Sequence, residues 1–599
     1  MISKSLSYIF VIFLVLSGCS SPEKNKEVAV SEGLKKEVSK EVKKEVIHYG
    51  PHSSKANSFI DVTKNLGLGA RSATHFYSVD WSGDGHTDLV YLPFHYSVPV
   101  FLKYSPKYKK YSPIDYNPFG KVVRGSYLIF LDIDKDSVLD CIVGTLNQKT
   151  ELEKEHIRIY KGKLGSQYQL IEQKTGINEV KPASSIIPFD YNLDGKIDLF
   201  VTSWYDFTKK ASRPALVPDQ IFMGEGNGFK FRNASYLLKD ENEFKRSEKE
   251  YPNAVASFGG SVCDIDQDGY PDLLSASSNG MPNRMWMNRY DNKNKDRIFI
   301  NYASEANTEA DDEGKFDKRG GGNSFYMNCA DYNHDGIMDI AVGELFHSYD
   351  NEKKDRSSIL TGSQFAFPPK FIRTEYNKDD GSGSWSQGDR RANWIDINTD
   401  GFLDLLVDNS GFPPKSRLIY FEQSKDHSFD DTADTHGINL TNPSGTVIVD
   451  WNRDGMPDIL TGQTNVRDSK IEPRIYALQN NLKKGRRFRV ILRGIKSNYH
   501  GIGGTIKVIT NQRKILRPVS IVSGNLPSQG EEGEFISLFN GEDILKIEVL
   551  WPILVNKNGT SKVLKKTYQK SLRPFVGKKL IVLCENGRVY GDRIKSCKQ

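Results

Sequence analysis

The ten residues DYNLDGKIDL, Asp190 to Leu199, have six close variants along the chain. These are DWSGDGHTDL from Asp80, DIDKDSVLDC from Asp132, DIDQDGYPDL from Asp264, DYNHDGIMDI from Asp331, DINTDGFLDL from Asp396 and DWNRDGMPDI from Asp450, with starts 52 to 74 residues apart. Self-similarity at such a period is the mark of a repeat architecture, in which each copy is one supersecondary unit that buries its apolar faces against its neighbours.

Each copy places oxygen-bearing side chains at positions 1, 3, 5 and 9, and position 7 can add its backbone carbonyl. That spacing wraps a short loop around a hard cation, which takes six to eight oxygens at about 2.3 to 2.6 Å. The ligand sets expected are Asp80, Ser82, Asp84 and Asp88; Asp132, Asp134, Asp136 and Asp140; Asp190, Asn192, Asp194 and Asp198; and Asp264, Asp266, Asp268 and Asp272. Three more follow: Asp331, Asn333, Asp335 and Asp339; Asp396, Asn398, Asp400 and Asp404; and Asp450, Asn452, Asp454 and Asp458. The reading is up to seven calcium ions, one per repeat. The loops hold 23 aspartates, and without a cation their crowded carboxylates repel one another, so calcium is expected to act as a folding ligand. Six loops carry Gly at position 6, where positive φ is cheapest; the second has Ser137 there, which at positive φ costs on the order of 1 kcal/mol. An EF-hand would need flanking helices and a Glu at position 12. The flanks here are short apolar runs of strand length, such as IIPF before Asp190 and TVIV before Asp450, so the chain is read as all-β.

Strand, aspartate loop, strand, repeated seven times, resembles the FG-GAP or VCBS repeat of integrin-α-like β-propellers. The resemblance implies a seven-bladed β-propeller over residues 56–479, with four strands per blade and only short protected edges. SFIDVTKNLGL from Ser58 and SFDDTADTHGI from Ser428 are similar to a strand recurrent in that family. The first of them precedes the first loop, so Phe59 to Thr63 is expected to complete the last blade and fasten the ring.

From about Asn480 the loops stop and a basic β-rich segment begins. Ser497, Asn498, Gly501, Ile502, Gly503, the Ser528-Gln529 pair and the ending Val549 to Pro552 resemble the ASPIC/UnbV domain. That implies a small β-sandwich-like domain over 480–575, followed by a tail, 576–599. The chain departs from the family at Leu538, Phe539, Asn540 and Gly541, which puts that turn's role in doubt. Gly501 to Gly504 lack the Lys-Ser/Thr and helix of a phosphate loop and read as a tight turn.

The N-terminus carries Lys4, an apolar run from Leu6 to Leu16, and then LSGC ending at Cys19. This is a secretory signal, 1–18, resembling a bacterial lipobox; it implies lipidation of Cys19, a charged tether over 19–55, and an outer-membrane, periplasmic or surface-exposed location. Of six cysteines, Cys584 and Cys597 form the candidate disulfide, whereas Cys141, Cys263 and Cys329 are read as buried apolar residues.

Charged residues are 26% of the chain and hydrophobic ones 38%, a balance of soluble β proteins. No HExxH, CxxC or serine elbow is present, and SWSQG at Ser384 lacks the first Gly of the elbow, so no catalytic residue is assigned. Divalent ions in seven sites would make the domain strongly basic, which favours acidic glycans and surfaces without requiring a specific nucleic acid. Binding residues concentrate on variable loops; candidates are 202–250 with Trp204 and Tyr205, 303–322, and KYSPKYKKYSPIDY with Tyr104, Tyr108 and Tyr111. The expected function is a calcium-stabilised envelope binding or adhesion lipoprotein, anchored to the membrane by lipid. Resemblance to integrin-type propellers implies that it recognises a protein or glycan through the face opposite the loops. The alternative is an envelope enzyme acting on polysaccharide.

Overall fold

The computed structural model describes residues 58–146, 156–163, 167–171, 175–177, 183–206, 215–226, 228–240, 254–310, 321–346, 356–376, 387–413, 415–482, 485–557, 559–570, 572–575, 577–592 and 597. The signal, Cys19 and the tether lie outside them, as do 207–214, 227 and 241–250 of the first long insertion and 311–320 of the second.

The described residues are almost wholly β. Seven antiparallel units of four strands follow one another, their first strands being His75–Val79, Tyr127–Leu131, Ala183–Phe189, Ser257–Cys263, Ser324–Ala330, Gln387–Ile395 and Pro443–Val449; the fourth carries a fifth, parallel strand, Leu238–Lys239, and the fifth and sixth join into one sheet through Asp339–Phe346 and Gln387–Ile395. First strands lie beside inner strands of neighbouring sheets, Ala183–Phe189 beside Asp140–Gly144 among them, and His75–Val79 lies beside Pro443–Val449, which closes a ring. The fold is therefore β-propeller-like. Sequence explains the gradient across each sheet. YLIFL and DLFVTS are buried at every position because neighbouring sheets cover both faces, and such strands read as continuous apolar runs. The outermost strands alternate: Lys110–Pro113 and Lys230–Asn233 bury only Tyr111 and Phe231.

The seventh sheet takes its outer strand from the other end of the chain. Phe59–Asp61 pairs antiparallel with Arg474–Asn480, Phe59 opposite Asn480, and the Thr63 hydroxyl accepts the amide of Ala477 at 2.9 Å. This is the closure expected from the sequence. The disulfide Cys263–Cys329 joins the first strands of the fourth and fifth sheets, which corrects the reading of both as unpaired. Strand adjacency in a ring, invisible over 66 residues of sequence, places their Cα atoms 6.5 Å apart. Cys141 is the buried free thiol, as read.

A β-sandwich follows. One sheet orders Glu534–Leu538, Arg486–Arg493, Leu580–Cys584 and Val589–Gly591; the other orders Lys514–Pro518, Thr505–Thr510, Ile544–Lys557 and Thr560–Tyr568. Val490, Val508, Ile536, Val549 and Trp551 fill the space between them. The expected tail, 576–599, is not one: Leu580–Cys584 is an inner strand, parallel to Arg486–Arg493. Its five apolar residues, LIVLC, are all buried. The Cys584–Cys597 disulfide then pins the last turn.

Candidate metal loops and the axial channel

All seven aspartate loops join the first strand of a sheet to the second, and position 9 is the first residue of that second strand in every case. The loops share one hydrogen-bonding scheme. The position 1 carboxylate accepts the position 6 amide, as in Gly85 to Asp80 at 2.7 Å, Ser137 to Asp132 at 2.7 Å and Gly401 to Asp396 at 2.8 Å. Position 6 has positive φ throughout, Ser137 included at 72°, so the second loop keeps the common shape and its serine is strained rather than rearranged.

Position 9 ties the loop to the sheet. Its Oδ1 accepts a third-strand amide at 2.8 to 2.9 Å in every repeat, from Tyr104, Gly162, Gly224, Asn288, Gly362, Gln423 and Asn480. Where that donor is Asn or Gln, its side chain also clips neighbouring sheets. The Asn288 amide donates to the carbonyls of Pro271 and Tyr191, Gln423 to Leu403 and Tyr332, and Asn480 to Pro457 and Ile397.

The carboxylates at positions 1, 3, 5 and 9 are the metal candidates, and the loops differ. Among the described residues, ligand atoms of three carboxylates lie within 4.8 Å of one another in two loops: Asp132, Asp134 and Asp136, and Asp264, Asp266 and Asp272. Oδ1 of Asp134, Oδ1 of Asp264, Oδ2 of Asp331 and Oδ2 of Asp458 are buried and accept no hydrogen bond. Burial pushes the carboxyls of Asp88 and Asp331 up to about 7 and those of Asp140 and Asp339 up to about 8. Basic side chains partly answer this charge. Lys161 pairs with Asp134 and Asp136, Arg289 with Asp266 and Asp268, Lys196 with Asp194 and Lys103 with Asp84. A set of hard oxygens, some orphaned and some held by an ammonium or guanidinium, fits a divalent cation of the calcium type. In the fifth to seventh loops the position 3 amide donates to position 5, Asn333 to Asp335, Asn398 to Asp400 and Asn452 to Asp454.

The sandwich covers this loop face. The Asp132 amide donates to His500 Nε2 at 2.9 Å, the Leu554 amide to the Leu193 carbonyl at 3.2 Å, and Arg513 to the Gly401 carbonyl at 2.5 Å. Phe539 packs on Phe402 with ring centroids 4.9 Å apart, which gives a docking role to the turn where the chain departs from the ASPIC/UnbV pattern. The Asn498 side chain brackets Ile502 through its N–H and carbonyl, which shapes Gly501 to Gly504 as the expected turn.

From the sandwich, residues 519–533 enter the axis of the ring as a plug. The Gly524 amide donates to the Gly260 carbonyl and that of Leu526 to Ser184, while Arg391 holds the Ser528 hydroxyl and the carbonyls of Asn525 and Leu526. Gln529 exchanges backbone hydrogen bonds with Phe76 and Ser78, and its side-chain amide pairs with both the N–H and the carbonyl of Phe130, at 3.0 and 2.8 Å. The Glu531 amide donates to Ile448; its carboxylate accepts the Asp450 amide and pairs with buried Arg489 at 2.6 Å. Six sheets thus hydrogen-bond the plug. Gly259 is where the approach is closest, since a Cβ there would stand 2.8 Å from the Asn525 nitrogen.

Beyond the plug tip, on the face opposite the loops, the axis opens into a cavity of about 280 Å³ floored by Asn525 and Leu526. The aromatic candidates are placed less usefully. Trp204 is buried and stacks on Phe258, Tyr205 accepts a hydrogen bond from Asn279, and Tyr104 and Tyr111 pack on each other; Tyr108, 66% exposed, is the free ring of that trio.

Residues 264–342, from the fourth loop through the fifth, match the FG-GAP-like repeat family model. No curated protein sequence matches the chain. Two solved structures similar to it are Saccharomyces cerevisiae Sqt1, at 8% identity, a TM-score of 0.35, and coverage of 69% of this chain and 84% of that one, and a luciferin-regenerating enzyme, at 11%, 0.28, 60% and 91%. At these values neither likeness bears on function.

Proposed function

We propose that this chain is a calcium-stabilised envelope lipoprotein whose ring serves as a binding module, presenting to a protein or glycan ligand the face opposite its aspartate loops. The FG-GAP-like repeat supports a propeller-type binding domain. The observation that carries the choice of face is the plug. Sandwich and plug occupy the loop face and the axis, and a cavity of about 280 Å³ lies beyond the plug tip on the other side. Calcium would be held by the position 1, 3, 5 and 9 oxygens, foremost in the second and fourth loops, and would supply the positive charge that their carboxylates lack. Lipid on Cys19 would hold the module at the outer membrane, and the ASPIC/UnbV-like sandwich would act as its cap. No specific nucleic acid is required.

Metal analysis and thermal denaturation of the mature chain, with calcium and after chelation, test this reading. Bound calcium and a melting temperature lowered by chelation are expected, with Asp264→Ala losing one ion; a chain that binds none at millimolar supply ends the calcium part. A glycan and envelope-protein binding screen tests the rest, and retention of a ligand by a variant with a blocked opposite face would sink the choice of face.

A further inference from the structure

The cavity beyond the plug is lined by arginines and histidines, Arg390 and Arg391, His75 and His95. Arg391 is spent on the plug, since its guanidinium donates to Ser528, Asn525 and Leu526. Arg390 is not: its Nε and Nη2 are buried with no hydrogen-bond partner. Gly411, with φ of +99°, makes room for it, since a Cβ there would come within 2.9 Å of Nη2. Burial and the nearby Arg467 pull the Arg390 pKa down to about 10, against the opposing pull of Asp408. The acidic residue on the wall, Asp408, is committed elsewhere, its carboxylate accepting the amide and hydroxyl of Thr446. Both ring nitrogens of His95 are also buried without partners, and burial keeps that imidazole neutral by lowering its pKa to about 4. At the rim Phe94 is 51% exposed.

A guanidinium with two nitrogens left dry, set over the Phe325 ring at 5.6 Å, is costly, and its planar donors match a carboxylate. An exposed aromatic ring beside it offers a face for an apolar sugar surface, and about 280 Å³ suits a single small residue rather than a drug-sized ligand. We propose that the axial cavity is the subsite for one acidic sugar residue, with the carboxylate on Arg390, His95 contributing a neutral hydrogen bond and Phe94 under the ring. The site rests on the reading of this face as the binding face, and names what that face reads.

The test is calorimetric titration of the calcium-loaded mature chain with galacturonate, glucuronate and N-acetylneuraminate oligomers and with their methyl esters, which keep the shape and lose the charge. At least one acid should bind at least tenfold more tightly than its ester, and sodium sulfate should compete with it. Arg390→Met should weaken that acid at least tenfold while the melting temperature stays level or rises, because an unpaired charge has been removed; Lys562→Ala, on the sandwich, should change nothing. Equal binding of every acid and its ester, or full affinity in Arg390→Met, would overturn the proposal. Bound calcium, measured on the same samples, separates a failure here from a failure of the calcium reading.

Discussion

The two ends of the ring bury charge of opposite sign and treat it differently. At the loop end, carboxylates crowd seven turns and a second domain is clamped over them, with His500, Arg489 and Arg513 reaching into the turns. At the other end, the guanidiniums of Arg390 and Arg391 line a cavity beyond the plug tip. Charge that is paired and covered serves architecture, and charge left dry and reachable invites a ligand. Substitutions at the two ends should therefore have different consequences.

The largest contrast is Glu531→Leu against Arg390→Met. Glu531 bridges Arg489, the Asp450 amide and Thr87, so its loss strands a buried guanidinium and should cost about 3–5 kcal/mol in denaturant unfolding, whereas Arg390→Met should cost nothing. Next is Gln529→Ala, which orphans the N–H and carbonyl of Phe130 at the heart of the channel. A loss of about 2–4 kcal/mol is expected, without effect on bound calcium; a loss under about 0.5 kcal/mol would mean that the plug is ornamental.

Glu534, at the plug's base, should give a pH signature. Burial pushes its carboxyl up to about 7 despite the opposing Arg517. The folded pKa lies above the unfolded one, so its contribution is complete below about pH 4.5 and is lost as pH rises through about 7. Glu534→Gln should therefore flatten the decline in stability across that window, by on the order of 2 kcal/mol. The smallest effect is at the second loop: Ser137→Gly relieves a side chain held at φ of 72° and should raise stability by about 0.5–1 kcal/mol, whereas Gly195→Ser in the third loop should lower it.

Legibility in the sequence followed locality. The loops were readable because each ligand set sits within nine residues, and the closing strand because a copy of a repeated motif stood alone at the wrong end of the chain. Residues 519–533 have neither period nor motif. Their partners, Phe76, Phe130 and Arg391, are hundreds of positions away, and Ser528-Gln529 stood out through resemblance alone. Leu580–Cys584 was read as tail because its parallel partner, Arg486–Arg493, is some ninety residues upstream. The axial cavity was equally hidden. Arg390 comes from the sixth sheet and Phe94 and His95 from the turn after the first sheet's second strand, Asp88–Leu92, and the missing hydrogen-bond partners of Arg390 are a property of packing that no spacing encodes.

The ring's fastening has a mechanical corollary. The strand Phe59–Asp61, three residues long, is the first part of the described chain to join the seventh sheet, so any pull applied upstream of Ser58 arrives first at that clasp. Antiparallel strands loaded along their length shear many hydrogen bonds together, but three residues offer few, and the Thr63 hydroxyl on Ala477 becomes the backstop. Tension strong enough to part that clasp would strip the outer strand from the seventh sheet while the plug still holds the ring, and slack would let it click shut again.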